Sequence, residues 1–148
     1  MDNDYKNLIN NLSWDMPEFI QKDAIKRLLQ IPEEEVPILT RISEKKCWEN
    51  AAIVLKEIGY PRNKLALPGL IEWLQDMNWP GATTAADTLR KIDIKIIVPY
   101  IEEALLKASK EEDYIWITNI KELVINKMML SESDFSRKEV YELLSLEE

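Results

Sequence analysis

The chain has 148 residues, 46% apolar and 31% charged, a balance that suits one soluble domain able to bury a core without disulfides or a metal. Its net charge of −8, from 27 acidic and 19 basic residues, disfavours a phosphate backbone as partner and reads first as a solvated acidic surface, with steering toward a basic partner as the alternative. With no histidine, the commonest general base, the Ser-His and Cys-His pairs and His-based zinc sites are excluded, and three glycines leave little scope for a phosphate-cradling loop.

The first segment, Tyr5 to Leu12, is short and polar and reads as an N-terminal capping helix. Ala24, Leu28 and Ile31 then mark one face of a helix, with the small alanine admitting a close neighbour. Glu33-Glu34-Glu35 reads as a charged loop before Pro37. Proline tolerates the first turn of a helix, where its missing N–H has no intrahelical partner, so Pro37 is expected to open a helix carrying Leu39, Ile42 and Ser43. Cys47 follows; it is expected to pack in the interior, although Lys45 and Lys46 beside it are able to lower a thiol pKa. Ala51, Leu55 and Ile58 repeat the earlier face.

Pro68 opens the next run, Leu70, Trp73 and Leu74. Asp76 and Asn78 are turn and capping residues, and Pro80 suits the first turn of the following helix. Trp79 therefore falls at the elbow of a hairpin, and Trp48 occupies the equivalent elbow 31 residues earlier. Ala85, Leu89 and Ile92 form the third copy of the face. Pro99 opens Ile101, Ala104 and Leu105. Glu102 with Glu103, and Glu111 with Glu112 and Asp113, are neighbours in sequence that do not face each other on a helix, so they read as solvated faces, with Asp113 the N-cap of a helix bearing Trp116. Trp116, Ile120 and Leu123 are a looser fourth copy. The end of the chain, SESDFSRKEVYELLSLEE, reads as a charged amphipathic capping helix with Ser133 or Ser136 as N-cap.

Two registers thus interleave. Pro37, Pro68 and Pro99, each 31 residues apart, begin first helices; the alanine-led faces form second helices. The expected fold is all-α: one HEAT-like, right-handed superhelix of about four helical hairpins with terminal capping helices, spanning residues 1–148 as a single domain. The lone cysteine, the lack of a signal-like start and the lack of a long apolar run point to the cytoplasm and away from a membrane.

The stretch Leu70-Ile71-Glu72-Trp73-Leu74-Gln75-Asp76-Met77-Asn78-Trp79-Pro80 resembles the hallmark of the family called domain of unknown function 5071, which is mainly bacterial. Leu67-Pro68-Gly69 and the pair Asp113 and Trp116 are similar to its pattern as well, and the resemblance spans roughly residues 15–130. It implies a HEAT-like fold and no activity. Gly81 stands after Trp-Pro where the pattern leads one to expect a bulkier residue.

The expected function is a non-enzymatic protein-interaction module, with no catalytic residues, cofactor or metal. Its partner is a protein, of basic character if the charge steers association, bound through a concave face or the Trp79 elbow. The candidate contact residues are Trp48, Asp76, Asn78, Trp79, Asp87, Arg90, Thr118 and Asn119. Two alternatives stand beside this: an immunity or antitoxin protein that neutralises a basic toxin, and a DNA glycosylase-like enzyme. The latter needs a basic stripe that Glu57, Asp87 and Glu122 interrupt.

Overall fold

The computed structural model describes residues 3–147. Among them every regular element is helical and no strand forms. Four helices carry the alanine-led faces: α2 (Glu18–Leu28), α3 (Trp48–Ile58), α5 (Ala82–Arg90) and α7 (Tyr114–Lys121), with α1 (Asn3–Asn10) packed on α2. Ala24, Ala51 and Ala85 are buried, as are Leu28, Leu55, Leu89 and Ile120. The face that the sequence spaced at i, i+4 and i+7 is therefore the buried face. α3 packs on α2 and on α5, and the apolar interior is one continuous cluster.

The proline register is only partly what the sequence led us to expect. Pro68 lies in the first turn of α4 (Leu67–Glu72), as expected. Pro37 lies inside a 3-10 helix, Glu33–Thr40, that begins four residues earlier. The three glutamates are thus its first turn and not a loop, where their charge complements the helix N-terminus. Pro99 lies well inside α6 (Ile94–Lys110), whose start is set instead by Asp93: its carboxylate accepts from the Lys95 N–H at 2.8 Å. A proline here deprives the Lys95 carbonyl of its helical donor. Lys95 and Pro99 both face solvent, where water can serve that carbonyl, and the helix continues.

These helices are short, and every helix end leaves carbonyls without intrahelical donors. Side-chain N–H groups from elsewhere in the chain answer several of them. Trp116, fully buried on α7, donates its indole N–H to the Ile71 carbonyl at 3.0 Å, and Asn119 one turn on donates to the Leu74 carbonyl at 2.7 Å. The Arg62 guanidinium donates to the Leu29 and Ile31 carbonyls beyond the end of α2, at 3.0 and 2.9 Å. Asn50 donates to the Leu12 carbonyl at 2.7 Å. Carboxylates cap the N-terminal ends of α6 and α7. Asp113 caps α7 through the Trp116 N–H at 3.0 Å, as the sequence indicated.

The C-terminal segment departs from expectation. Neither Ser133 nor Ser136 caps a helix. Ser131 and Asp134 form a reciprocal cap on the 3-10 turn Glu132–Asp134, and α8 (Lys138–Tyr141) begins after Arg137. Ser136 instead donates to Glu102 at 2.6 Å, and the Arg137 N–H donates to the other oxygen of that carboxylate at 3.1 Å. Glu102 is 2% exposed, so it is not part of a solvated face; it is a buried anchor for the last segment.

Of the positions with positive φ, Gly81 and Glu112 have opposite consequences. Gly81, at φ 87°, precedes α5, and a Cβ there would stand 2.8 Å from the Trp73 ring and 2.9 Å from the Trp48 carbonyl. A bulkier residue has no room after Trp79-Pro80. Glu112, at φ 55°, ends α6 with the Asp113 N–H on the Ala108 carbonyl and its own N–H on the Ser109 carbonyl, the Schellman arrangement that favours glycine. Gly81→Ala is expected to cost about 2–4 kcal/mol from backbone strain and overpacking together. Glu112→Gly, at an exposed site, is expected to add about 0.5–1 kcal/mol, the strain relieved less the entropy glycine loses. Urea denaturation of the two variants checks these opposite signs.

Candidate functional site

Three tryptophans meet at the elbow. Trp48 is the first residue of α3, Trp73 ends α4, and Trp79 lies in the turn before α5. The Trp48 and Trp79 rings lie edge to face with centroids 5.5 Å apart, and Trp48 and Trp73 do the same at 6.1 Å. Trp73 is 6% exposed, whereas Trp48 and Trp79 are half-buried. Two of the indole N–H groups hold the backbone: Trp48 donates to the Ile42 carbonyl at 2.6 Å and Trp73 to the Pro80 carbonyl at 2.8 Å. Glu49 fixes the next helix, accepting from the Gly81 N–H at 3.2 Å and the Thr84 hydroxyl at 2.8 Å. A carboxylate at a helix N-terminus is favoured by the helix dipole.

The rings of Trp48, Trp73 and Trp79 wall a cavity of about 150 Å³, with Glu72 and Gln75 at its polar side. The Lys45 ammonium stands 5.7 Å from the Trp48 ring centroid and 5.9 Å from that of Trp79. Both distances are within cation–π range.

Asp76 and Asn78 do not line this cavity. The Asp76 carboxylate accepts from the Asn78 N–H at 2.8 Å and its carbonyl accepts from the Trp79 N–H at 3.0 Å, so Asp76 shapes the turn that presents Trp79. Asn78 is exposed at the tip of that turn.

The remaining candidates fall elsewhere. Asp87, Arg90 and Asn119 share a groove of about 480 Å³, floored by Leu74, Met77 and Leu123. Thr118 does not line it; its hydroxyl bonds back to the Tyr114 carbonyl at 2.9 Å. The three candidate residues of the groove are already engaged. Asn119 holds the Leu74 carbonyl, and Asp87 binds Lys56 at 2.7 Å, Arg90 at 2.7 Å and Lys91 at 3.4 Å. The Lys56 contact first, with Arg90 and Lys91 behind it, holds the Asp87 carboxyl well below the usual carboxylate range. The eight candidate residues therefore do not form one surface: Trp48 and Trp79 meet at an aromatic corner, Asp87, Arg90 and Asn119 share a separate groove, and Asp76, Asn78 and Thr118 line neither cavity.

Cys47 is 2% exposed, and burial, with the nearby Glu44 charge, pushes its thiol pKa up. Lys45 and Lys46 do not activate it: Lys45 stands over the tryptophans, and Lys46 pairs with Asp15 at 2.6 Å. Among the described residues no group of three or more Cys, Asp or Glu is placed to hold a metal, and no helix is long and apolar enough to cross a membrane. Sequence reasoning missed Lys45, Glu49 and Glu72 at the corner, because none sits in a repeating pattern. Glu102 did carry a signal, a charged residue on the buried face shared by Val98, Ile101 and Leu105.

The Asp87 cluster predicts a pH effect. A folded-state pKa below the unfolded value adds stability above the ordinary aspartate value of 3.8, and that stability is lost as pH falls below it toward the folded pKa. Asp87→Asn is expected to cost about 1 kcal/mol at pH 7, discounted because the three cations are well exposed. The gap between variant and parent should narrow as pH drops below 3.8, which parallel denaturation series from pH 7 to pH 2 will show. Glu102→Ala, which removes the buried carboxylate that holds the Ser136 hydroxyl and the Arg137 N–H, is expected to cost about 1–3 kcal/mol, and amide hydrogen exchange should report the loss first in residues 131–147.

No curated protein and no solved structure matches the chain. The family model described as Domain of unknown function (DUF5071) matches residues 41–148, which contain the whole tryptophan corner and reach further toward the C-terminus than the resemblance read from the sequence. With most of its length covered by that model, the chain belongs to the DUF5071 family.

Proposed function

We propose that this protein is a non-enzymatic interaction module that grips a basic protein partner at the edge where Trp48 and Trp79 meet. The observation that carries the reading is this convergence. Two tryptophans 31 residues apart come into edge-to-face contact, half-exposed, beside a small cavity, on a chain of net charge −8. Aromatic side chains of this kind supply much of the energy at binding hot spots, and opposite net charge speeds and orients association. On this reading the whole chain is one domain with the plan of a right-handed HEAT-like solenoid. The packing of α3 between α2 and α5, and of α4 against the 33–40 segment on one side and α6 on the other, supports it.

An immunity or antitoxin protein is the narrower form of the same proposal, with the acidic surface covering a basic toxin. Its support is the charge alone. An enzymatic reading centred on the groove has less support. A general acid or base works best with a pKa near the operating pH, and Asp87 is shifted in the other direction.

Affinity capture with the full chain at low salt, from cells that express it naturally, tests the proposal. The expected result is one stoichiometric basic protein that binds again when purified. Its affinity should fall about tenfold or more in Trp79→Ala, a typical cost for an aromatic hot spot, and should weaken with added salt. Failure to recover any stoichiometric protein would overturn the module reading.

A further inference from the structure

The tryptophan corner has a composition that goes beyond a generic apolar edge. We propose that it is a receptor for an alkylammonium group, the side-chain tip of a lysine on the partner, held among the faces of Trp48, Trp73 and Trp79 with the Glu72 carboxylate as its counter-charge. This deepens the proposed function and rests on it for the source of the lysine.

Four observations carry the assignment. First, three indole rings line one cavity, with Trp48 nearly perpendicular to Trp73 and to Trp79, at 84° and 82°, so a single occupant meets aromatic surface in more than one orientation. Second, the volume of about 150 Å³ suits one side-chain tip and falls short of the roughly 300–1,000 Å³ that small-molecule sites occupy. Third, the chain's own Lys45 already places an ammonium within 6 Å of two of these rings, while lying outside the cavity lining. The rings thus accept a cation in the folded protein, and the cavity itself stays clear of that side chain.

Fourth, the polar side of the cavity is acidic. Glu72 is about half-exposed and pairs with Lys107 at 3.0 Å, an exposed contact that contributes little and leaves the carboxylate open to a second cation. The Trp48 and Trp73 indole N–H groups are occupied by backbone carbonyls, which leaves their ring faces as the recognition surface. A neutral apolar side chain would fit the volume and would leave Glu72 without a new partner. Lys45 is then a competitor by charge: its ammonium repels an incoming cation from the same rings.

The test uses the full chain labelled with nitrogen-15 and follows the five indole N–H signals. The probes are Nα-acetyl-Nε-trimethyllysine amide, Nα-acetyl-lysine amide and the neutral Nα-acetyl-norleucine amide, at matched ionic strength. The expected result is saturable shifts of the Trp48, Trp73 and Trp79 signals with the two cations, no such shifts at Trp14 or Trp116, and at least about fivefold weaker response to the neutral probe. Trp79→Ala should weaken cation binding about tenfold and Glu72→Gln about threefold. Lys45→Met should strengthen it about twofold, a gain that no loss of folding can mimic.

Equal response to the neutral probe, or no saturable shift in the parent and in Lys45→Met, overturns the receptor. The module reading fails separately. A partner recovered by capture whose affinity falls in Trp79→Ala, with no ammonium response, sinks the receptor alone. A cation response with no stoichiometric partner leaves the receptor standing and sinks the module.

Discussion

The open carbonyl ends of short helices are the constraint on which the rest of this structure depends. α4 has six residues and runs into the 3-10 turn Trp73–Gln75, whose own end leaves carbonyls such as that of Leu74 without an intrahelical donor. Left buried and unpaired, each would cost on the order of 1–3 kcal/mol. The chain answers with side-chain N–H groups brought from elsewhere in the chain: Asn119 for the Leu74 carbonyl, Arg62 for the end of α2 and Asn50 for the end of the N-terminal turn, while Trp116 adds a second donor to the Ile71 carbonyl. Each bond also joins units far apart in sequence. The satisfaction of helix ends and the packing together of segments distant in sequence are therefore one phenomenon. This explains the use of tryptophan, which brings a large apolar body to the core and a single donor to its edge. Trp48, Trp73 and Trp116 all spend that donor on a carbonyl.

The alanine-led register was legible in the sequence because it depends on local periodicity alone. Ala51 and Leu55 are buried for the same reason that they are four residues apart on one face. The proline register was less legible because proline is compatible with several environments. Pro68 sits in a first turn, Pro37 in a 3-10 helix, and Pro99 on the solvent side of a continuous helix. The sequence does not distinguish these, since what differs is which carbonyl loses its donor and whether water reaches it. Capping by Asp113 was readable because its partner is three residues away. The roles of Glu49, Arg62 and Glu102 were not, because their partners are about 30 residues distant.

The candidate site divides along the same line. Trp79 and Trp48 were legible as residues of special position, and the structure brings them together. Asp87, Arg90 and Asn119 were legible as outward-facing polar residues, yet the structure employs them internally, in an ion cluster and a carbonyl cap. An exposed polar residue on a predicted helix is a weak indicator of function for this reason: its neighbours on the adjacent helix are invisible from the sequence, and they decide whether its charge is available. Aromatic faces are harder to consume than polar atoms. An indole can satisfy a carbonyl at its edge and still offer its ring to another group, whereas a carboxylate held by three cations has little left to offer.

That asymmetry is the physical reason for proposing the corner, and not the larger groove, as the binding site. It also shows how closely the two roles are bound. Gly81 has no side chain because the Trp73 ring and the Trp48 carbonyl occupy the space where one would begin. Its N–H is held by Glu49, and the preceding carbonyl, that of Pro80, by Trp73. The peptide unit that follows Trp79-Pro80 is therefore held at both its C=O and its N–H by residues adjacent to, or within, the aromatic corner. A corner built this way gains preorganisation from the fold: the rings need little rearrangement to receive a partner, and the entropy of ordering them is spent during folding, not at binding. The same coupling means that replacing Trp73 disturbs the turn along with the cavity. Trp79, whose ring only leans on the cluster, is the position where recognition separates most cleanly from stability.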